Sequence, residues 1–247
     1  MRILIVNDDG VYSPGIRALA ERARHFGEVR IVAPDVEQSS MGHAITHSRP
    51  LRYKKAEVGD FDAYKVNGTP ADCVALGCHH WEQVDVVLSG INLGPNLGNS
   101  MWHSGTLAGA KQASLLGIRG IAFSLLSGYE AEDFERLAPH VDEVLEKVLR
   151  QYDYKLLNIN FPPEPKGIMW TRQSVRQYDG AVIASEDPYK RPIYWCTVRA
   201  LEPAEEGTDR HAIEEGYISI TPLRLDLTHH ADLESLVVKS GNATDSS

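Results

Sequence analysis

The chain is poor in cysteine. Cys73, Cys78 and Cys196 are its full complement in 247 residues, an odd number with no CxxC pair. This argues against a disulfide framework and against a sulfur-bound zinc site, and it suits a reducing compartment. No apolar run is long enough to span a bilayer. The opening residues lack a basic segment followed by an apolar stretch and a cleavage site, so the expected location is the cytoplasm, with no membrane partner. Positive charge is scarce as well: 25 Lys and Arg stand against 34 Asp and Glu, a formal net charge of −9. Affinity for a polyanion needs clustered cations, so a nucleic-acid polymer is not an expected partner, whereas a small anionic substrate responds to the local field. Neither GxxxxGK[ST] nor GxGxxG occurs, which removes the Walker loop and the dinucleotide fingerprint. There is also no internal repeat and no low-complexity tract.

What is present is an ordinary globular composition, 43% hydrophobic and 24% charged, in a chain long enough to bury roughly 70–75% of its unfolded surface without covalent staples. The first half alternates short apolar runs with helical stripes. Ile3–Val6 and Val29–Ala33 read as strands, as do Tyr64–Val66, Val84–Leu88, Ile118–Leu125 and Leu156–Phe161. Between them lie helix signals. Ser13-Pro14 and Thr69-Pro70 each offer an N-cap followed by proline at the first helical position. Thr106–Leu116 is a small-residue helix and Asp133–Gln151 the longest one. Strands alternating with helices at this spacing predict an α/β fold: a Rossmann-like three-layer core with a mostly parallel sheet. The character changes after Pro165. Met169–Tyr178 and Ala181–Thr197 are β-rich and aromatic, with a hairpin signal at Asp179-Gly180. Tyr217–Leu227 is extended, and Lys239–Ser247 reads as a disordered tail. The expected organisation is a catalytic core over 1–165 and a β-rich C-terminal extension over 166–247, which serves either as an oligomerisation arm around Tyr194 and Trp195 or as a meander on its own core.

In open parallel sheets ligands bind beyond the carboxyl ends of the strands. Three polar clusters fall at such positions: Asn7-Asp8-Asp9-Gly10, Glu37-Gln38-Ser39-Ser40 and Ser89-Gly90-Ile91-Asn92. Adjacent aspartates repel one another unless a cation neutralises them. Asp8, Asp9, the Ser39 hydroxyl and the Asn92 carbonyl make a hard, all-oxygen donor set that suits Mg²⁺ or Mn²⁺ better than zinc. Alone, Asp-Asp-Gly reads as a solvated turn; the two companion loops are what make it a candidate site. The run from Gly90 to Gly98 spaces Asn and Gly so that donors can face an anion, and the helix start that follows His103-Ser104-Gly105-Thr106 favours phosphate. Capping by Ser104 or Thr106 is compatible with that. Elsewhere the bland readings prevail. His43 and His47 suit surface roles, His79-His80 a helix end, Asp72 a helix-start charge, and Glu202–Glu206 a solvated loop. His103 suits either phosphate binding and proton donation or loop packing.

At these loops the sequence resembles the SurE family, stationary-phase survival proteins that are divalent-metal-dependent 5′-nucleotidases. The resemblance is carried by MRILIVNDDG, SPGIRAL, VAPDVEQSSMGHAIT, YKVNGTPADCV, VLSGINLGPNLG and HSGTLAGA, in order across roughly the first half. LLNINFP, WTRQSVRQYDG and ITPLRLDLT continue it. The resemblance implies metal ligation by Asp8, Asp9, Ser39 and Asn92, and phosphate contact by Asn96 and by Ser104, Gly105 and Thr106. It further implies one divalent cation per subunit (Mg²⁺ or Mn²⁺), assembly as a homodimer or homotetramer, and nucleoside monophosphates as substrates. Related members also accept 3′-nucleotides and short polyphosphate.

The chemistry expected is metal-assisted phosphomonoester hydrolysis, with Asp8 or Asp9 orienting or deprotonating the attacking water. A covalent aspartyl route, as in haloacid dehalogenase-like phosphatases, lacks its DxD spacing here. A glycosyltransferase-like use of the acidic pair lacks a sugar-nucleotide loop. The rival from another class is a metal-dependent nucleotide-binding regulatory protein without turnover.

Overall fold

Arg2–Val6 (β1) alternates Ile3 and Ile5 on one face with Leu4 and Val6 on the other, and all four are fully buried. A strand apolar on both faces needs a helical layer on each side, which is the condition of a parallel α/β sheet. Residues 1–126, 133–175, 178–179, 182–197, 199–200 and 202–241 are described in the computed structural model. The helices are Pro14–Ala23 (α1), Pro70–His80 (α2), Gly105–Leu115 (α3), Asp133–Glu146 (α4), Asp209–Glu214 (α5) and His230–Gly241 (α6). After β1 the strands are Glu28–Pro34 (β2), Tyr53–Ala56 (β3), Asp62–Val66 (β4), Val86–Leu93 (β5), Arg119–Leu125 (β6) and Leu156–Phe161 (β7). Ile168–Trp170 (β8), Tyr178–Asp179 (β9), Val182–Glu186 (β10), Pro192–Cys196 (β11), Arg199–Ala200 (β12) and Ile218–Pro222 (β13) complete the set.

Nine strands form one sheet in the order β3-β4-β2-β1-β5-β6-β7-β13-β8. From β4 to β7 every neighbouring pair is parallel, while β3 and β13 run antiparallel to their neighbours β4 and β7. Helices α1 and α4 pack together over one face, sharing the core of Ile3, Ile5, Leu88, Phe123 and Phe161. Helices α2 and α3 cover the other face with Leu4, Val6, Val32 and Val87. The expected mostly parallel α/β architecture is therefore observed. The strand order reverses between β1 and β5, which is the topological switch point where such sheets place their ligands.

The caps follow the expected chemistry. Ser13 accepts the Ile16 N–H at 3.4 Å. Thr69 and Asp72 form a reciprocal capping box at the start of α2, so Asp72 is a helix-start group that also holds Thr46 through its N–H and hydroxyl. Boundaries differ where tertiary contacts intervene. The long fourth helix widens into a π turn over Lys147–Gln151, where the Arg119 guanidinium collects the carbonyls of Val148, Leu149 and Tyr152. The hairpin turn lies at Asp187–Arg191, where the Asp187 carboxylate takes the N–H groups of Tyr189 and Arg191 and the Arg191 Nε. Of the expected turn pair, Asp179 ends β9 and Gly180 is outside the described residues. Strand β3 and helices α5 and α6 were not legible as elements, and of the expected disordered tail residues 239–241 end α6, while 242–247 are outside the described residues.

The segment after β7 divides in two. Strands β13 and β8 extend the main sheet. Strands β10 and β11 form a separate ribbon whose Val182, Ile183, Tyr194 and Trp195 are exposed, and α6 likewise exposes Leu233, Leu236 and Val238. Among the described residues no helix is long and apolar enough to cross a membrane.

Candidate active site

The site begins with the residue after β1. Asn7 donates to Gly10 O at 3.0 Å and Ser13 Oγ at 2.7 Å, tying the loop to the start of α1. Asp8 follows, buried, with its carbonyl accepting the Gln38 N–H at 2.7 Å, so the loops after β1 and β2 are joined. Its carboxylate accepts the Thr106 hydroxyl at 2.6 Å and also a hydrogen bond from the Thr106 backbone. Gly105 explains how α3 comes so near: a Cβ there would sit 2.7 Å from Asp8 Cβ and 2.8 Å from its Oδ2.

The second and third loops close the cleft. Ser39 donates to Glu37 Oε1 at 2.6 Å. In β5 the pairing with β6 shifts register between Ser89 and Asn92, at Gly90, whose φ of +137° suits glycine and where a Cβ would strike Phe123 O. That irregularity carries Asn92 to the sheet edge, where its Nδ2 donates to Gly94 O at 2.7 Å, leaving the carbonyl oxygen as the acceptor end. The resulting cleft of about 560 Å³ is lined by Asp8, Ser39, Asn92, Asn96 and Ser104, together with His103 and others. Of the sequence candidates, these five share one cleft. Asp9 is beside Asp8 and takes a backbone hydrogen bond from Leu93. Gly105 and Thr106 form the first turn of α3, which Ser104 caps by accepting the Leu107 N–H at 2.9 Å.

Burial drives the electrostatics. It is the main cause that raises the Asp8 carboxyl above its ordinary value, with Glu37 adding to it and the Thr106 bonds opposing. Burial, then Asp8, then Glu37 push Asp9 up to about 7. Among the described residues no Lys or Arg lines this cleft. Two adjacent carboxylates made costly by burial, with neutral oxygens from Ser39 and Asn92 beside them, fit a hard divalent cation. No cluster of three or more His, Cys, Asp or Glu side chains suited to a metal occurs among the described residues.

The partners that hold Asn96 and its loop escaped sequence reasoning. Asn96 is held by a buried amide network: its N–H donates to Asn160 Oδ1 at 2.8 Å, its Nδ2 to Ser124 Oγ at 2.7 Å, and its carbonyl accepts from Asn158 and Asn160. The signal was there in LLNINF, where two asparagines at i and i+2 share one face of an otherwise apolar strand. Asp209, fully buried, accepts the N–H groups of Gly98 at 2.8 Å and Ser174 at 2.9 Å, while Gln173 donates to Gly98 O at 3.1 Å. The C-terminal segment thus grips the loop that carries Asn96. His103 lines the cleft, and its carbonyl accepts the Gly42 N–H at 3.0 Å. His43 bonds Gln112 at 2.8 Å on α3 and His80 stacks on Tyr53, in keeping with bland roles for both.

Known proteins resemble the chain over nearly its whole length. Residues 3–180 match the family described as Survival protein SurE. The chain is 48% identical over 242 residues to 5′-nucleotidase SurE 1 of Thermus thermophilus, covering 96% of each. It is 43% identical over 236 residues to 5′-nucleotidase SurE of Deinococcus radiodurans, covering 92% of this chain and 88% of that one. The crystal structure of the SurE protein from Aquifex aeolicus superposes with a TM-score of 0.83 at 43% identity, covering 97% of this chain and all of the other.

Proposed function

The chain belongs to the SurE family, and from that premise we infer that it is a 5′-nucleotidase that hydrolyses nucleoside 5′-monophosphates to nucleoside and phosphate. Full-length likeness to several proteins named 5′-nucleotidase SurE supports the activity. The observation that carries it to particular residues is the pair of buried Asp8 and half-buried Asp9, both raised by desolvation, with Ser39 and Asn92 in the same cleft as Asp8. The family's nucleotidases depend on a divalent metal. In this chain Asp8, Asp9, Ser39 and Asn92 would hold one such cation per subunit, Mg²⁺ or Mn²⁺. When bound, it supplies charge neutralisation at the phosphate and acidifies a water.

The protein's own groups divide the remaining work. Asn96 and the Ser104–Thr106 start of α3 hold the non-bridging oxygens, using an amide and helix-terminal N–H groups where negative charge collects. Thr106 also steadies Asp8, so the phosphate cradle and the carboxylate pair keep a fixed spacing. A carboxylate of the pair accepts the proton of the attacking water. Related chemistry extends to 3′-nucleotides and short polyphosphate, which offer the same terminal phosphate. The exposed apolar side chains of the β10–β11 ribbon and α6 support assembly as a homodimer or homotetramer through the 166–247 extension. Three free cysteines suit a reducing compartment, and we propose the cytoplasm as the location.

Release of inorganic phosphate from AMP or GMP with Mn²⁺ tests the function. Asp9→Asn is expected to lower it by about 10²-fold or more, and Asp8→Asn to weaken metal affinity as well. Tight nucleotide binding with no phosphate release from any monoester would overturn the reading in favour of a non-catalytic nucleotide-binding regulator.

A further inference from the structure

The cleft is larger than its phosphate end requires. Asp8, Ser39, Asn92, Asn96 and Ser104 occupy one part of its wall. The rest is built from Ser40, Leu93, Ser100 and His103 and, from the far end of the ribbon, Cys196 and Thr197. At about 560 Å³ the space falls in the range of about 300–1,000 Å³ that encloses a whole small-molecule ligand. A phosphate with its cation leaves much of that volume for the rest of the molecule.

The chemistry of this second part is distinct. Leu93 leaves 43% of its surface exposed, one residue beyond Asn92, so an apolar side chain opens into the cleft beside the donor set. The same wall also carries a thiol and a hydroxyl at the end of β11, Cys196 and Thr197. A flat apolar ring and a hydroxylated sugar match such a wall, whereas a bare phosphate or polyphosphate has no use for it. We propose that the nucleoside half of the substrate lies between Leu93 and the Cys196–Thr197 end of β11, which makes the ribbon terminus a specificity determinant. This rests on the nucleotidase reading and adds to it a location for the base and sugar.

The three cysteines provide the test. Cys196 is exposed, while Cys73 is buried with its thiol pushed well above the ordinary range, and burial pushes Cys78 up to about 11. N-ethylmaleimide near neutral pH therefore modifies Cys196 first, and peptide mass mapping follows it residue by residue. AMP with Mn²⁺ is expected to slow labelling of Cys196 by about tenfold, and inorganic phosphate with Mn²⁺ to slow it far less. In parallel, Cys196→Trp is expected to raise the KM for AMP about tenfold more than the KM for glycerol 2-phosphate, an ester without a base. Equal protection by phosphate and AMP, or equal KM changes for the two esters, would overturn the subsite while the nucleotidase reading stands. Absence of phosphate release from either ester by the unmodified enzyme would instead overturn the nucleotidase reading, and the subsite with it.

Discussion

Phe161 ends β7 with none of its surface exposed, whereas Trp195, in β11, leaves 62% of its surface open. Both are large aromatics in strands, and the difference lies in what surrounds each strand. β7 is flanked by β6 and β13 and covered by a helical layer, so every one of its side chains is buried. β11 has one partner, β10, and no covering layer among the described residues. A lone two-stranded ribbon is marginal in water, so an exposed apolar ribbon points to a surface completed by another chain. In the core, sequence is spent on packing; in the extension, on the assembly we propose.

The sharpest way to break this comparison is to truncate one aromatic in each region. Phe161→Ala is expected to cost about 3–5 kcal/mol of stability, through lost burial and the cavity left behind. Trp195→Ala is expected to stay within about 0.5 kcal/mol in the unfolding of a single subunit, and to lower the oligomeric mass seen by light scattering. A Trp195→Ala protein with unchanged assembly would return the ribbon to an ordinary surface element. A Phe161→Ala protein of normal stability would contradict the burial argument.

Legibility in the sequence divided along the same line. The parallel strands of the core were readable as short apolar runs bounded by turn residues, and the caps at Ser13 and Thr69 because one residue type does the local work. Asp8 and Asp9 were readable because they follow β1 directly, whereas Ser89-Gly90-Ile91-Asn92, expected as a loop beyond the strand, lies inside β5 at its register shift. Asp209 was not readable. Its role comes from accepting Gly98 and Ser174, respectively 111 and 35 residues away, and no local pattern announces that. The ribbon turn at Asp187–Arg191 was not foreseen because its organiser is the Asp187 carboxylate gathering three donors rather than an Asp-Gly pair. Helix α6 escaped because it leaves Leu233, Leu236 and Val238 exposed, so no core-facing stripe marks it.

Asp209 also joins the two regions, which gives a test of intermediate size. Asp209→Ala leaves the buried Gly98 and Ser174 N–H groups without their acceptor, at a cost of about 1–3 kcal/mol each if water does not replace it. Because Gly98 follows Asn96 by two residues, phosphate release is expected to fall even where the protein is fully folded. Stability lost with kinetics intact would show that the clamp serves the fold alone.

The smallest effect is one of sign. In the metal-free protein Asp9 is raised to about 7 and Asp8 is raised as well, burial being the first cause in both. Between the ordinary carboxylate range near about 4 and about 7 the folded chain thus holds protons that the unfolded chain has released, and stability falls as pH rises across that window. Asp226, in the segment before α6, behaves oppositely. Hydrogen bonds from Thr228, then from His230, lower it to about 2, so its contribution is present above about 4 and is lost as pH falls toward about 2. Because Asp226 is exposed, that contribution is screened and small. Melting temperatures of the chelator-treated protein and of Asp9→Asn, compared from about pH 4 to about pH 7, isolate the site. The wild type is expected to lose a few degrees relative to the variant as pH rises, since only the wild type must ionise a second, half-buried carboxylate beside Asp8. Mn²⁺ is expected to restore the wild type more strongly at about pH 7 than at about pH 5, because a cation competes with protons for the pair. A wild-type-minus-variant difference that ignores pH, or a gain from Mn²⁺ that is equal at both ends, would remove the acidic pair from the metal centre.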